Sequence, residues 1–82
     1  MIKTMALPKL GVNMTEAMIT RWLVKPGDKV NEGESILEAE TDKAVQQIPS
    51  TQTGIVMELL CSEGDTVQCH EAIITFIEEH RA

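Results

Sequence analysis

The sequence predicts an all-β domain of two four-stranded antiparallel sheets related by an internal pseudo-twofold, and three observations carry that expectation. The first is a repeat. Setting Gly27-Asp28 against Gly64-Asp65, an offset of 37, brings Ile19 opposite Val56, Trp22 opposite Leu59, Leu23 opposite Leu60 and Val30 opposite Val67 without a gap. Further on, Glu34 meets Glu71, Ile36 meets Ile73 and Leu37 meets Ile74. Two copies are too few for a solenoid, in which each repeat buries its apolar face on the next, so the halves are expected to pack face to face in one core. The second observation is punctuation. Turn signals recur at short intervals, at Pro26-Gly27-Asp28, Glu32-Gly33, Asp42-Lys43, Pro49-Ser50, Gly54 and Glu63-Gly64-Asp65, the spacing of a sandwich or barrel of short strands. The third is size and composition. At 82 residues, with one Trp, one Phe and no Tyr, the chain makes one domain with an aliphatic core and buries only about two-thirds of its unfolded surface.

Taken in order, strands are expected at Lys3–Leu7, Met18–Val24, Lys29–Val30, Ser35–Glu40, Ala44–Ile48, Ile55–Leu60, Thr66–Val67 and Ala72–Ile77. The second of these competes with a helix. Asn13-Met14-Thr15-Glu16 resembles a capping box, and Ala17, Met18, Ile19, Trp22 and Leu23 could form a helical stripe. The repeat decides for a strand, because the equivalent Thr53-Gly54-Ile55-Val56 opens with Gly and two β-branched residues, a poor helix start. Pairing Leu7-Pro8 with Ile48-Pro49 gives an offset of 41, which places four extra residues between Pro8 and Ala17 in the first half. The Gly of each Gly-Asp pair is expected to supply a backbone conformation that a Cβ opposes. His70 stands where the first half has Gly33, and His tolerates positive φ better than most residues. Gln46 interrupts the apolar alternation of its strand, which suits an edge position or a partly solvated strand.

Composition excludes several function classes. A formal charge of −6 opposes nucleic-acid binding, which needs basic patches. No run approaches the ~18 apolar residues of a membrane span, and Met1-Ile2-Lys3-Thr4 lacks the apolar stretch of a secretory signal. Cys61 and Cys69 are eight apart rather than Cys-x-x-Cys, and with His70 and His80 they lack the paired short spacings of a zinc site. Cys61 aligns with Val24 and is expected to be a small buried hydrophobe; Cys69 aligns with Glu32 and is expected to be exposed in a turn. That mismatch opposes a disulfide and favours a reducing compartment. Asp28, Asp65, His70 and His80 form no nucleophile–base arrangement, so no metal and no catalytic residue is expected.

The functional signal is Glu40-Thr41-Asp42-Lys43-Ala44, a lysine in a tight turn between two strand-like segments near the seam of the repeat. Asp favours turns because its carboxylate bonds nearby backbone N–H groups. A lysine at a hairpin tip projects from the domain with its ammonium solvated, where another enzyme can reach and modify it. A lone Asp-Lys in a loop is ordinarily plain polar surface; the position at the seam sets this one apart.

A quasi-symmetric β chain of this length, with Gly-Asp-x-Val in each half and Glu-Thr-Asp-Lys-Ala between them, resembles the lipoyl domains of the dihydrolipoamide acyltransferase components of 2-oxo acid dehydrogenase complexes. The resemblance runs from about Lys3 to Glu79 and includes Leu7-Pro8-Lys9-Leu10-Gly11, Met14-Thr15-Glu16-Ala17, Trp22, Pro26-Gly27-Asp28-Lys29-Val30 and Ile48-Pro49-Ser50. It implies a flattened β-barrel (a barrel-sandwich hybrid) with the modified lysine at one end and both termini at the other. It also implies lipoic acid in amide linkage to Lys43, flanked by Asp42 and Ala44 as the recognition turn, and residues 1–82 as a single non-catalytic carrier domain. The implied partners are a lipoate ligase or octanoyl/lipoyl transferase, a thiamine-diphosphate-dependent decarboxylase, the acyltransferase core and dihydrolipoyl dehydrogenase, in the bacterial cytoplasm or the mitochondrial matrix. A biotinyl carrier shares the fold, but there the lysine usually lies between methionines. The glycine-cleavage hydrogen carrier is longer, and an unmodified interaction module would keep the fold without the lysine's role. Decarboxylase recognition is expected at the loop holding Val12, Asn13 and Met14 together with Glu40, unless Met14 tucks into the core and the loop merely spans a gap. Pyruvate, 2-oxoglutarate, branched-chain and acetoin-type complexes all use similar domains. The chain stops at Ala82 without a linker, subunit-binding domain or acyltransferase core, as an excised piece of such a protein would.

Overall fold

The computed structural model describes residues 1–9, 11, 14–41 and 44–78, and every described element is a strand. The strands are β1 (Ile2–Ala6), β2 (Glu16–Trp22), β3 (Lys29–Val30), β4 (Ser35–Glu40), β5 (Val45–Pro49), β6 (Gly54–Leu59), β7 (Thr66–Gln68) and β8 (Ala72–Ile77). All eight expected strands are present, with ends moved by two residues at most. The sheets are ordered β1-β8-β6-β3 and β5-β4-β2-β7, every pairing antiparallel. Replacing β1 to β4 by β5 to β8, and the reverse, converts one sheet order into the other. The pseudo-twofold holds at the level of single pairs. Met18 faces Glu40 and Ile19 faces Ala39 before a bulge in β2–β4; Ile55 faces Ile77 and Val56 faces Phe76 before the matching bulge in β6–β8, all at the offset of 37.

Each half reaches into the other. The Gly27 N–H donates to Val56 O at 2.8 Å and the Val56 N–H to Asp28 O at 2.8 Å; the symmetry mates are Gly64 N–H to Ile19 O at 2.7 Å and Ile19 N–H to Asp65 O at 2.8 Å. These turns satisfy main-chain groups that a two-sheet sandwich would otherwise leave bare at its corners. The turns also close on themselves: Asp28 accepts from the Lys25 N–H at 3.0 Å and Asp65 from the Ser62 N–H at 2.9 Å, while Glu34 and Glu71 do the same for Asn31 and Gln68. Positive φ occurs at Gly27, Gly33 and Gly64 and, as the alignment with Gly33 suggested, at His70 (φ 72).

The structure corrects the offset of the first strand. Met5 faces Ile74 and Ala6 faces Ala72, while Ile48 faces Leu37 and Pro49 faces Ser35, so Ala6 corresponds to Pro49 at an offset of 43. The Leu7 N–H donates to Glu71 O and the Ser50 N–H to Glu34 O, the same bond in both halves. The two offsets differ by two residues, which leaves every side chain on its own face, so alternation alone does not separate them and the backbone pairing does. Pro49 is tolerated because β5 is an edge strand, so the shared proline was the wrong anchor. The connection from Leu7 to Ala17 holds nine residues (8–16) against three (51–53) from Ser50 to Gly54, an excess of six rather than four.

The core between the sheets is aliphatic, with Met5, Leu7, Ile19, Ile36, Leu37, Ile48, Ile73 and Ile74 fully buried around Phe76. Symmetry-related positions are filled unequally. Phe76 takes the place that Ala39 has in the other half, and Gly54 the place of Ala17. A Cβ on Gly54 would lie 2.7 Å from Ile77 O and 3.3 Å from Phe76 Cβ, so the glycine leaves room for the phenyl group and the close strand. Gln46 is half-buried on edge strand β5, the setting that its break in alternation suggested.

Candidate functional site

The turn between β4 and β5 is closed by its flanks. Glu40 and Val45 are the last register pair of the β4–β5 hairpin. Beyond them the Thr41 N–H donates to Ala44 O at 2.9 Å, and the Thr41 hydroxyl donates to the same carbonyl at 3.1 Å. Two residues, Asp42 and Lys43, lie between this pair in the chain, and both are outside the described residues. Glu40 and Ala44 are exposed, as expected of residues that frame a reachable turn.

β2 begins beside the end of β4, since Met18 pairs with Glu40. The long connection from Leu7 to β2 therefore arrives at the hairpin end, where the sequence placed it. Val12 and Asn13 lie outside the described residues. Met14 is a correction: it is 8% exposed and belongs to the core, its N–H donating to Gly11 O at 3.1 Å. Burying its four-atom thioether chain removes more apolar surface from water than a loop connector needs, so Met14 anchors the loop instead of displaying an apolar tip. A groove of about 400 Å³ runs between this loop and the hairpin, with Met14, Glu16, Ala17, Met18, Glu40 and Thr41 among its lining residues. Sequence reasoning named Met14, Glu40 and Thr41 but missed Met18 as part of this site. Met18 was legible as an outward position of a strand whose alternate residues Ala17 and Ile19 are buried.

The opposite end holds Met1 and Glu78. The Glu78 N–H donates to Met1 O at 3.0 Å, and Lys3 Nζ lies 3.6 Å from Glu78 Oε1. β2 runs from the hairpin end toward the 25–28 turn, which pairs with Val56, opposite Phe76 near the end of β8. The Thr41–Ala44 closure and the Met1–Glu78 pair therefore sit at opposite ends of the molecule.

Neither cysteine belongs to this turn. Cys61 is half-buried against the core, and its carbonyl accepts from Trp22 Nε1 at 2.9 Å. Burial, reinforced by the carboxylates of Asp65 and Glu71, pushes its thiol above the ordinary value of 9.0, which keeps it protonated and unreactive near neutrality. Cys69 is in a turn, as expected, but it is half-buried rather than exposed: it packs on the core and its Sγ–H donates to Met14 O at 3.4 Å. The extra length of the first connection explains the difference, since that segment covers Cys69. Among the described residues no group of three or more His, Cys, Asp or Glu could hold a metal ion, and no helix is long and apolar enough to cross a membrane.

Comparison with known proteins gives a consistent result. The Biotin_lipoyl family model, described as "Biotin-requiring enzyme", matches residues 3–76. The chain is 47% identical over 72 residues to the lipoamide acyltransferase component of the branched-chain alpha-keto acid dehydrogenase complex of Bacillus subtilis, covering 88% of the chain and 17% of that protein. It is 45% identical over 67 residues to the dihydrolipoyllysine-residue succinyltransferase component of the 2-oxoglutarate dehydrogenase complex of Staphylococcus saprophyticus, covering 82% and 16%. The chain thus spans less than a fifth of these relatives. The solution structure of the lipoyl domain of the 2-oxoglutarate dehydrogenase complex from Azotobacter vinelandii superposes with a TM-score of 0.71 at 28% identity, covering 94% of this chain and 98% of that one.

Proposed function

The chain belongs to the biotinyl/lipoyl domain family as a lipoyl domain, and we propose that Lys43 carries lipoic acid in amide linkage and serves as an acyl carrier in a 2-oxo acid dehydrogenase complex. The observation that carries the reading is the closure of Thr41 on Ala44, which brackets Asp42-Lys43 in the chain, at the far end from Met1 and Glu78. A lysine held there meets a modifying ligase or transferase without obstruction from the rest of the domain. The amide removes the lysine's charge, and the attached dithiolane supplies the redox and thioester chemistry. The protein residues position it: the two Thr41 bonds to Ala44 O close the end of the β4–β5 pair from which Lys43 extends. No side chain of this domain need act as acid, base or nucleophile, so the domain is a non-catalytic part of an acyltransferase. Tethering keeps the carried group at high effective concentration near its partners. Those partners are a thiamine-diphosphate-dependent decarboxylase, the acyltransferase core and dihydrolipoyl dehydrogenase, in a reducing compartment such as the bacterial cytoplasm.

The lipoyl assignment is favoured over a biotinyl one because the relatives are lipoyl-bearing acyltransferase components and Lys43 lies between Asp42 and Ala44 rather than between methionines. Decarboxylase recognition is assigned to Val12, Asn13 and the exposed Glu40, with Met14 holding the loop from inside. Incubation with lipoate, ATP and a lipoate ligase, followed by intact mass and peptide mapping, tests the attachment. A single lipoyl group on Lys43, lost in Lys43→Ala, is the expected result; a lipoyl group on Lys3, Lys9, Lys25 or Lys29 overturns it.

A further inference from the structure

We propose that Cys69 is a positioning residue for decarboxylase recognition: from the β7–β8 turn, its thiol sets the loop to which Val12 and Asn13 belong. The inference deepens the recognition reading above and rests on it. Two consecutive residues of the turn hold both ends of the loop. The His70 N–H donates to Leu7 O at 2.9 Å and the Cys69 N–H to Thr15 O at 2.9 Å. The chain therefore leaves β1 and returns toward β2 at neighbouring points, as in surface loops whose ends lie close together. The Cys69 side chain adds a third bond, Sγ–H to Met14 O at 3.4 Å. Met14 passes this anchorage on: its side chain is in the core and its own N–H donates to Gly11 O at 3.1 Å. Gly11 and Met14 bracket Val12-Asn13 in the chain, as Thr41 and Ala44 bracket Asp42-Lys43.

The other half of the fold isolates what the thiol does. The turn bond is repeated there, from the Gly33 N–H to Ser50 O at 2.8 Å. The mate of Cys69 is Glu32, whose N–H donates to Thr53 Oγ1 at 2.9 Å at the end of a connection of only three residues. Glu32 is exposed, whereas Cys69 is half-buried and packs on the core. An ionised carboxylate in place of the thiol would face Met14 O with no proton to give, since it only accepts. A thiol is small, tolerates burial and brings a donor. The backbone clamp thus belongs to both halves, and the side-chain bond occurs in the half that has the long loop. Because a thiol is a weak donor and both backbone bonds remain without it, its loss displaces the loop and leaves the domain folded.

The test is reductive acylation of the lipoylated domain, the parent beside Cys69→Ala, Cys69→Val and Cys69→Ser. Decarboxylases of the pyruvate, 2-oxoglutarate, branched-chain and acetoin types are each tried with their own substrate, and one that acylates the parent is used throughout. Acylation of the parent by none of them overturns the carrier reading and this inference with it. Lipoylation by a lipoate ligase is expected to proceed at the parent's rate in every variant. KM for the domain is expected to rise about threefold or more in Cys69→Ala and Cys69→Val, the cost of one weak hydrogen bond, with kcat unchanged. Cys69→Ser keeps a donor and should return KM to within about twofold of the parent. In 1H–15N spectra the Gly11 and Met14 amides should move in the alanine and valine variants and return in serine, while the Thr41 amide stays. Cys69→Ala is decisive where thermal melts show that the branched valine disrupts the turn. Amides that move while KM stays overturn the recognition reading, and this inference with it. Amides that stay, a serine variant no better than alanine, or a joint fall in kcat and lipoylation rate overturn the positioning role and leave the carrier reading standing.

Discussion

Gly54 and Gly33 show how one residue type answers two different physical demands. At Gly54 the demand is space, since a Cβ would sit 2.7 Å from the carbonyl of Ile77, and a backbone oxygen in a sheet cannot swing aside. Gly54→Ala is expected to lower unfolding free energy by about 2–3 kcal/mol, in the range of overpacked cores, as read by urea titration. At Gly33 nothing crowds the position, but φ is 95°. Gly33→Ala should cost about 1–2 kcal/mol through backbone strain alone. Its counterpart His70 already lives with φ 72, so His70→Gly relieves strain while loosening the unfolded chain, and the net change should stay within about 1 kcal/mol. Cys61 supplies a pH signature. Its thiol titrates higher in the folded protein than the ordinary 9.0, so the folded state holds the proton more tightly than the unfolded chain. Stability from this group is complete below pH 9 and falls as pH rises above it. Cys61→Val, which copies Val24 of the first half, should flatten that alkaline decline in thermal melts between pH 8 and 10.5.

At the scale of elements, the acidic turns explain how short strands such as β3 and β7 hold their places. Each turn has a carboxylate accepting the N–H three residues earlier, and each delivers its Gly-Asp backbone to the opposite sheet. Asp28→Ala and Asp65→Ala are each expected to lower stability by about 0.5–1.5 kcal/mol, the net worth of one such bond, with Asn at either position retaining most of it. Urea midpoints of the four single variants check this. These elements were legible because the turn chemistry and the repeat are local or evenly spaced in the chain. β3 and β7 could be named from the Gly-Asp offset although neither is long enough to show periodicity. The register of β1 was not legible, because Pro8 and Pro49 match by identity and a two-residue slip keeps the same side chains facing the core, so the sequence pattern fits both offsets. Cys69 escaped, and the burial of Met14 stood only as an alternative, for a related reason: whether a loop residue is buried depends on what the extra loop length covers, and neither residue's own neighbours encode that. The groove at Met18 needs β2, β4 and the long loop together, so no single motif announced it, whereas the turn bearing Lys43 stood out by its place at the seam of the repeat.

Across the whole molecule, the pseudo-twofold predicts something about the end opposite the hairpin. Applying the offsets of 37 and 43 to the Thr41–Ala44 bond, N–H to carbonyl at 2.9 Å, gives Glu78 and Met1, and that bond is present at 3.0 Å. Ile77 and Ile2 likewise face each other as Glu40 and Val45 do. The end of β8 and the start of β1 are thus an open copy of the hairpin that bears Lys43, lacking only the two residues that join Thr41 to Ala44. Joining Glu78 to Met1 through Asn-Gly, a pair suited to two-residue hairpins, should therefore close a strain-free ring. Because closure removes freedom from the unfolded chain, stability is expected to rise, by about 1–4 kcal/mol from the loop-closure model, with amide chemical shifts of the β4–β5 hairpin unchanged. A one-residue link should do worse than the open chain, since it forces β1 and β8 out of register. Equal stability of the one- and two-residue rings would show that the two ends of the domain do not share a turn geometry, and the symmetry would then stop at the strands.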